Sequence, residues 1–262
     1  MIKRFINDLK KYSKFIKYST KSQLKAEVTG SYLSWLWLFL EPICFMLIYT
    51  FIAQVVFRYK TEHYAIFVFI GLTIWNFFSK TLTASVRLVV NNRDIVTKVY
   101  LPKHILLITK MCVNSVKFFI SFSLVIIGMI ICHVSISFNV LYFIPLFCII
   151  FVFTFGISII FMHFGVFVQD LSNVITIVLR LVFYMSGVFF SIDNRVPAPY
   201  NAILLIINPV AAAIEQCRNI LLYSTPLNIS LMGMWLFIGL ILSYIGIRIM
   251  YKYENTYVKV MR

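Results

Sequence analysis

The apolar runs are the feature that most limits what this chain can fold into. They lie near residues 34–57, 64–84, 106–132, 139–166, 174–191 and 229–250. A bilayer core about 30 Å thick is crossed by about 20 helical residues, and each run reaches or approaches that length. A water-soluble fold has no interior large enough for them: 61% of the 262 residues are apolar or aromatic and 13% are charged, where soluble domains carry about 25% charged residues. The runs therefore predict an all-α integral membrane protein with six transmembrane helices. A seventh apolar stretch, 200–224, is broken by Asn208-Pro209 and carries Glu215, Arg218 and Asn219. It makes a poor span and reads as a half-buried re-entrant element. Residues 1–30 are basic with no early apolar run, so no cleavable leader is expected.

Charge then orients the spans. Lys and Arg number 24 against 9 Asp and Glu, a net charge of +15. A nucleic-acid-binding domain would be polar between its basic residues, whereas here they flank apolar runs. Six spans put both termini on one side, and with the termini inside, the inner segments hold 8 basic residues in 1–33, 5 in 80–104 and 4 in 248–262, 17 in all, against 4 outside. The positive-inside rule thus places both termini in the cytoplasm. Three basic residues, Lys110, Lys117 and Arg180, fall within spans. Cys44, Cys112, Cys132, Cys148 and Cys217 show no metal or disulfide-framework spacing and are read as small core residues.

Residues 1–33 are expected to form an N-terminal helix and connector ahead of the six-span transmembrane region 34–262. Ile2, Phe5, Ile6, Leu9, Tyr12 and Ile16 recur at helical spacing, with Lys3, Arg4, Lys10, Lys11, Lys14 and Lys17 on the other side. This pattern predicts an interfacial amphipathic helix, its apolar face among acyl chains and its lysines at anionic headgroups.

Polar stripes mark two spans. Asn173, Thr176, Arg180, Tyr184, Gly187 and Ser191 follow one another at steps of three or four, one continuous face on the fifth span. Polar groups are costly in hydrocarbon, so the face lines a transport path, or it makes interhelix hydrogen bonds with Arg180 snorkelling to the inner surface. On the third span Lys103, Lys110, Asn114, Lys117 and Ser121 share a face. That face is either an electropositive track for a phosphate-bearing substrate or a set of long side chains reaching inner headgroups. Glu41, followed by the helix-weakening Pro42, either lines the path or pairs with a lysine. Gly239, Ser243 and Gly246 share a face of the sixth span and suit close helix packing.

The chemistry of an enzyme is missing from the sequence. There is no G-x-x-x-x-G-K-[ST] phosphate loop, no G-x-S-x-G and no H-E-x-x-H. His63, His104, His133 and His163 are isolated from one another and read as packing or interface residues, so neither a metal nor a cofactor is expected on this chain.

Several segments together resemble one family. The entry to the first span, YSTKSQLKAEVTGSYLSWLWLFLEPICFMLIYT at 18–50, is similar to that of the membrane subunits of polysaccharide-exporting ABC transporters. So are the aromatic second span, FVFIGLTIWNFFSKTL, and the inner loop NNRDIVTKVYLPKHIL. The stretch QDLSNVITIVLRLVFYMSGVFFS at 169–191, followed by NPVAAAIEQCRNILL at 208–222, resembles the family's fifth span and its asparagine-proline element. The family often has Arg-Asp-Leu where this chain has Gln169-Asp170-Leu171.

The resemblance implies a homodimeric permease in the bacterial cytoplasmic (inner) membrane, with two separate ATPase subunits holding ATP and Mg on the inner face. It implies export of an undecaprenyl-linked glycan, an O-antigen, capsule or teichoic acid. Residues 1–17 would be the interfacial helix, and Arg93, Asp94, Lys98 and Lys103 of the inner loop would couple to the ATPase. The first and fifth spans would line the path through Trp37, Glu41, Phe45, Tyr49, Asn173, Thr176, Arg180, Tyr184 and Ser191. Of these, Trp37, Phe45, Tyr49 and Tyr184 could stack on sugar faces. Residues 193–224 would form short outer gate helices containing Asn208, Pro209, Glu215 and Arg218. Two other readings stay open on the residues alone: export of a small lipid or drug, and a membrane enzyme of glycan assembly.

Overall fold

A computed structural model describes residues 1–28, 34–56, 63–135 and 137–260. Every regular element among them is helical. The chain begins with α1 (Ile2–Lys11) and α2 (Ser13–Val28), followed by α3 (Ser34–Phe51), which contains Pro42 and runs into a π-helical turn at Ile52–Val56. Next come α4 (Tyr64–Val86), two short helices α5 (Leu88–Asn91) and α6 (Arg93–Lys98), and the long α7 (Lys103–Ile131). A 3-10 turn at Phe138–Tyr142 leads into α8 (Phe143–Phe167), and α9 (Leu171–Met185) follows. The outer segment is α10 (Ile192–Arg195), α11 (Tyr200–Ile207) and α12 (Pro209–Leu221), and the chain closes with α13 (Ile229–Lys252) and α14 (Glu254–Val260).

Four of these segments are long and apolar enough to cross a membrane: α4, α7, α8 with its preceding turn, and α13. A fifth candidate is the α11–α12 pair, bent by 109°. The apolar helices at Phe39–Val55 and Leu171–Met185 are shorter. The run expected as the fifth span, 174–191, is helical only in part. Its helix stops at Met185, giving a length of about 22 Å at about 1.5 Å per residue, because Gly187 takes a positive φ of 62° and the chain turns away.

α4 is the central element. Its aromatic and β-branched residues are buried on nearly every side, from Tyr64 through Val86, as expected of a helix with no polar face. α8 and α13 pack backbone to backbone. A Cβ on Gly156 would lie 2.8 Å from the Gly239 carbonyl oxygen and 2.8 Å from the Ser243 nitrogen. Ser243 Oγ donates to Gly239 O at 2.7 Å. The Gly239, Ser243, Gly246 face is thus a packing seam, as its spacing indicates.

The two terminal segments meet at one end of the bundle. Arg4 pairs with Glu254 at 2.9 Å and donates to Tyr100 Oη at 2.9 Å, while Tyr251 Oη donates to Asp8 at 2.6 Å. Phe5 of α1 packs on His104 and Phe155, with ring centroids 5.0 and 6.1 Å away. Leu9, Tyr12 and Ile16 also lie against the core. Much of the stripe expected among acyl chains is therefore seated on protein, and Ile2 and Ile6 remain exposed. The cysteine reading is corrected too: Cys217 is buried, but Cys44, Cys132 and Cys148 are exposed. An apolar outer surface in lipid accepts a thiol as readily as a core does.

Candidate functional site: a basic cavity joined to an aromatic run

α4, α7 and α9 line an open cavity of about 840 Å³ bordered by Trp75, Ser79, Lys80, Thr83, Ala84, Lys110, Asn114, Lys117, Thr176, Leu179, Arg180, Phe183 and Tyr184. Helical spacing explains the grouping. Lys110, Asn114 and Lys117 are stacked over two turns of α7, and Thr176, Arg180 and Tyr184 over two turns of α9, so the two faces meet across the cavity. The α7 face is held in register by a buried bond from Asn114 Nδ2 to Thr81 Oγ1 at 2.9 Å.

Four cations line this space, and two carboxylates answer them. Lys80 pairs with Glu41 at 3.0 Å. Glu27, at the end of α2, lies 3.8 Å from Lys110 and in closer contact with Lys117. Arg180 makes no ion pair or hydrogen bond among the described residues. Glu41 and Pro42 also border a smaller cavity that shares Lys80, Asn114 and Lys117 with the main one.

From the cavity an aromatic run leads along α9. Trp75 and Phe183 have ring centroids 5.1 Å apart, Phe183 and Phe189 5.2 Å, Phe189 and Tyr49 4.3 Å, and Tyr49 and Phe45 6.2 Å. Tyr184, 68% exposed, lies 5.6 Å from Phe183.

Beyond the end of α9 the chain is held by a buried arginine. Arg218 of α12 has no exposed surface. Its guanidinium donates to the carbonyls of Gly187 (2.7 Å), Val188 (2.7 Å), Phe190 (3.4 Å) and Phe67 (3.2 Å), and to Glu215 (3.4 Å). It also stacks 3.4 Å from the Phe67 ring centroid. Ser191 Oγ donates to Glu215 at 2.5 Å. The sharp bend is made by Asn208, whose Oδ1 accepts from the Val210 and Ala211 amides at 3.0 and 3.1 Å while its Nδ2 donates to Ser186 Oγ at 2.9 Å. Pro209 occupies the first turn of α12, where it has no amide to leave unpaired.

The residues expected to line a path are therefore divided. Thr176, Arg180 and Tyr184 line the cavity, and Glu41, Phe45 and Tyr49 lie on its neighbouring surfaces. Asn173 is exposed on the first turn of α9 and away from the cavity. Ser191 is buried beside Glu215, so the expected continuous face from Asn173 to Ser191 ends at Tyr184. Trp37 lies on α3, with its side chain outside the described residues. Arg93, Asp94 and Lys98 are exposed on α6, but Lys103 is only 4% exposed.

Sequence reasoning left the roles of Lys110 and Lys117 open and overlooked Lys80 and Glu27. The available signal was two lysines seven residues apart within a span, with few carboxylates in the chain able to neutralise them. Among the described residues no group of three or more His, Cys, Asp or Glu comes together as a metal site.

Comparison with known proteins agrees with this architecture. The sequence model described as ABC-2 type transporter matches residues 15–222. The chain is 27% identical over 243 residues to an O-antigen export system permease protein RfbA of Klebsiella pneumoniae, covering 92% of this chain and 93% of that protein. It is 26% identical over 217 residues to an O-antigen export system permease protein RfbA of Myxococcus xanthus, covering 83% and 84% of the two. A match over most of the length, on a helical membrane chain with this topology, identifies the family: the chain belongs to the ABC-2 type transporters.

Proposed function

We propose that this chain is the permease subunit of an ABC transporter that exports a lipid-linked polysaccharide of the O-antigen class across the bacterial cytoplasmic membrane. The observation that carries the reading is the basic cavity opening onto an aromatic run. Cations suit a phosphate-bearing lipid end, and aromatic faces contact sugar rings without selecting a sugar sequence tightly. The naming of its relatives as O-antigen export permeases supports the same class.

In this reading the chain crosses the membrane six times, with α3 and its π turn as the first span and α9 with residues 186–191 as the fifth. Both basic termini lie in the cytoplasm, at the end of the bundle where Arg4 meets Glu254. The subunit works as a homodimer. Phe45, Leu47, Ile48 and Phe51 on α3 and Ile177, Leu181 and Tyr184 on α9 are exposed large side chains, and two such surfaces facing each other enclose the path. Separate ATPase subunits, which hold ATP and Mg, dock on exposed α6 through Arg93, Asp94 and Lys98. Their closure is transmitted through α6 and the terminal helices to α3 and α9. α10, α11 and α12 form the outer gate, with Arg218 tying the gate to the end of the fifth span.

The test is export itself. Inverted vesicles holding the chain and its ATPase partner are loaded with an undecaprenyl diphosphate-linked glycan. The reading expects ATP-dependent movement of the glycan into the lumen, absent when the permease is omitted. Equal movement without the permease would overturn it.

A further inference from the structure

Glu27 sits at the junction of the cavity with α2 and contacts two lysines with one carboxylate. Lys110 and Lys117 are both partly buried, with side chains 24% and 26% exposed. Lys80 is matched by Glu41, and Arg180 projects from the opposite wall without an ion-pair partner among the described residues. Lys110, Lys117 and Arg180 thus face a single carboxylate, and the cavity as a whole carries a surplus of two positive charges. Uncompensated cations at membrane depth are expensive, and a set of them converging on one space marks an anion site.

With Glu27 displaced, Lys110, Lys117 and Arg180 present three positive charges, which favours the more highly charged anion. A diphosphate diester, the group that joins a lipid to a glycan, carries two negative charges, whereas an ordinary phospholipid diester carries one or none. Arginine offers a planar fork to phosphate oxygens, and lysine ammoniums act as point charges beside it. A carboxylate between two lysines occupies the place that a phosphate would take.

We propose that the α4–α7–α9 cavity binds the diphosphate of a lipid-linked glycan among Lys110, Lys117 and Arg180, and that Glu27 is an internal competitor which the diphosphate displaces. This assignment rests on the transport reading for the identity of the ligand, but it is decided by binding alone. Displacing Glu27 frees the end of α2, which packs along α7 and precedes α3 in the sequence. Occupation of the cavity is thereby felt by the helix pair that connects the cytoplasmic surface to the first span.

The experiment uses the full chain with its ATPase partner in nanodiscs. The probes are a polyprenyl diphosphate diester of a single sugar and, separately, phosphatidylglycerol, with binding followed by native mass spectrometry and by fluorescence. Saturable binding of the diphosphate diester is expected, at least about tenfold tighter than phosphatidylglycerol, because a tenfold ratio needs only one extra favourable ionic contact. Arg180→Gln and Lys117→Gln are expected to weaken it about tenfold or more. Glu27→Gln is expected to tighten it about threefold to tenfold, since it removes the competing charge while keeping the shape of the side chain. Glu27→Ala serves as the second variant, with the same expected direction.

Equal affinity for both lipids would overturn the diphosphate assignment, and so would binding indifferent to Arg180→Gln and Lys117→Gln. Unchanged or weaker binding in both Glu27 variants would overturn the displacement. Diester binding with the expected mutational pattern, in a protein that fails the vesicle export assay, would contradict the transport reading and leave the site standing.

Discussion

Arg218 and Gly71 are in contact because Gly71 has no side chain. A Cβ at Gly71 would lie 2.9 Å from Arg218 Nη2 and 3.3 Å from the Val188 backbone. The glycine on the central helix opens the slot through which Arg218 reaches the carbonyls beyond the end of α9. With α9 ended at Met185, those carbonyls have no further helical turn to receive them. The guanidinium meets that need for several at once.

Replacing Arg218 by leucine leaves Glu215 buried with its arginine removed and strips the donor from four backbone carbonyls. Loss of one partner of a buried ion pair costs about 3–5 kcal/mol, enough to lower the melting midpoint of the purified protein sharply. Lysine is not expected to rescue it, because a single ammonium cannot span the Phe67 carbonyl of α4 and the carbonyls of the turn after α9. Gly71→Ala is expected to cost about 1–3 kcal/mol by overpacking. Thermal unfolding of detergent-solubilised protein, followed by size-exclusion recovery, reads both.

The α8–α13 seam makes a second stability prediction, with an internal control. A Cβ on Gly239 would lie 3.0 Å from the Phe153 backbone, whereas one on Gly233 would meet nothing within 4 Å. Gly239→Val is therefore expected to reduce the yield of monodisperse protein severely, and Gly233→Ala is expected to match the parent.

Along α9, export should depend on which residues reach the cavity. Arg180→Leu and Tyr184→Leu are expected to reduce glycan export about tenfold or more while the protein still inserts and retains its ATPase. That corresponds to about 1.4 kcal/mol of lost interaction. Asn173→Ala, outside the cavity, is expected to leave export within about twofold, a difference of roughly 0.4 kcal/mol. Surface glycan measured by immunoblot in a permease-deletion strain distinguishes them.

Thiol accessibility tests orientation. Asp193, Asn194 and Arg195 are exposed, and Cys217 is buried at 1%. Asn194→Cys is expected to react with an impermeant maleimide added to intact spheroplasts. Cys217 is expected to stay unlabelled until the protein is denatured, and Asn92→Cys is expected to react only after permeabilisation. Labelling of Asn92→Cys from outside would invert the topology.

The four long apolar helices were legible because apolar length is a local property of the chain. The Gly239, Ser243, Gly246 seam was legible for the same reason, since its spacing already places three small side chains on one face. The end of the fifth span was not. Residues 186–191 are nearly as apolar as those before them, and the carbonyls freed where Gly187 turns the chain are received by Arg218, some thirty residues further on. Glu27 was likewise invisible. It lies in a basic connector, and only the path of α2 along α7 brings it to Lys110 and Lys117. The resemblance implied Lys103 as a coupling residue beside Arg93, Asp94 and Lys98, yet it is buried at the start of α7.

The central claim is that the glycan passes along the α9 wall of the basic cavity. A photoreactive amino acid at position 184, irradiated during ATP-driven export in vesicles, tests it most directly. A crosslink to lipid-linked glycan that requires ATP and the partner ATPase is expected, with no such crosslink from position 173. Normal export with no glycan crosslinked at position 184 would contradict it.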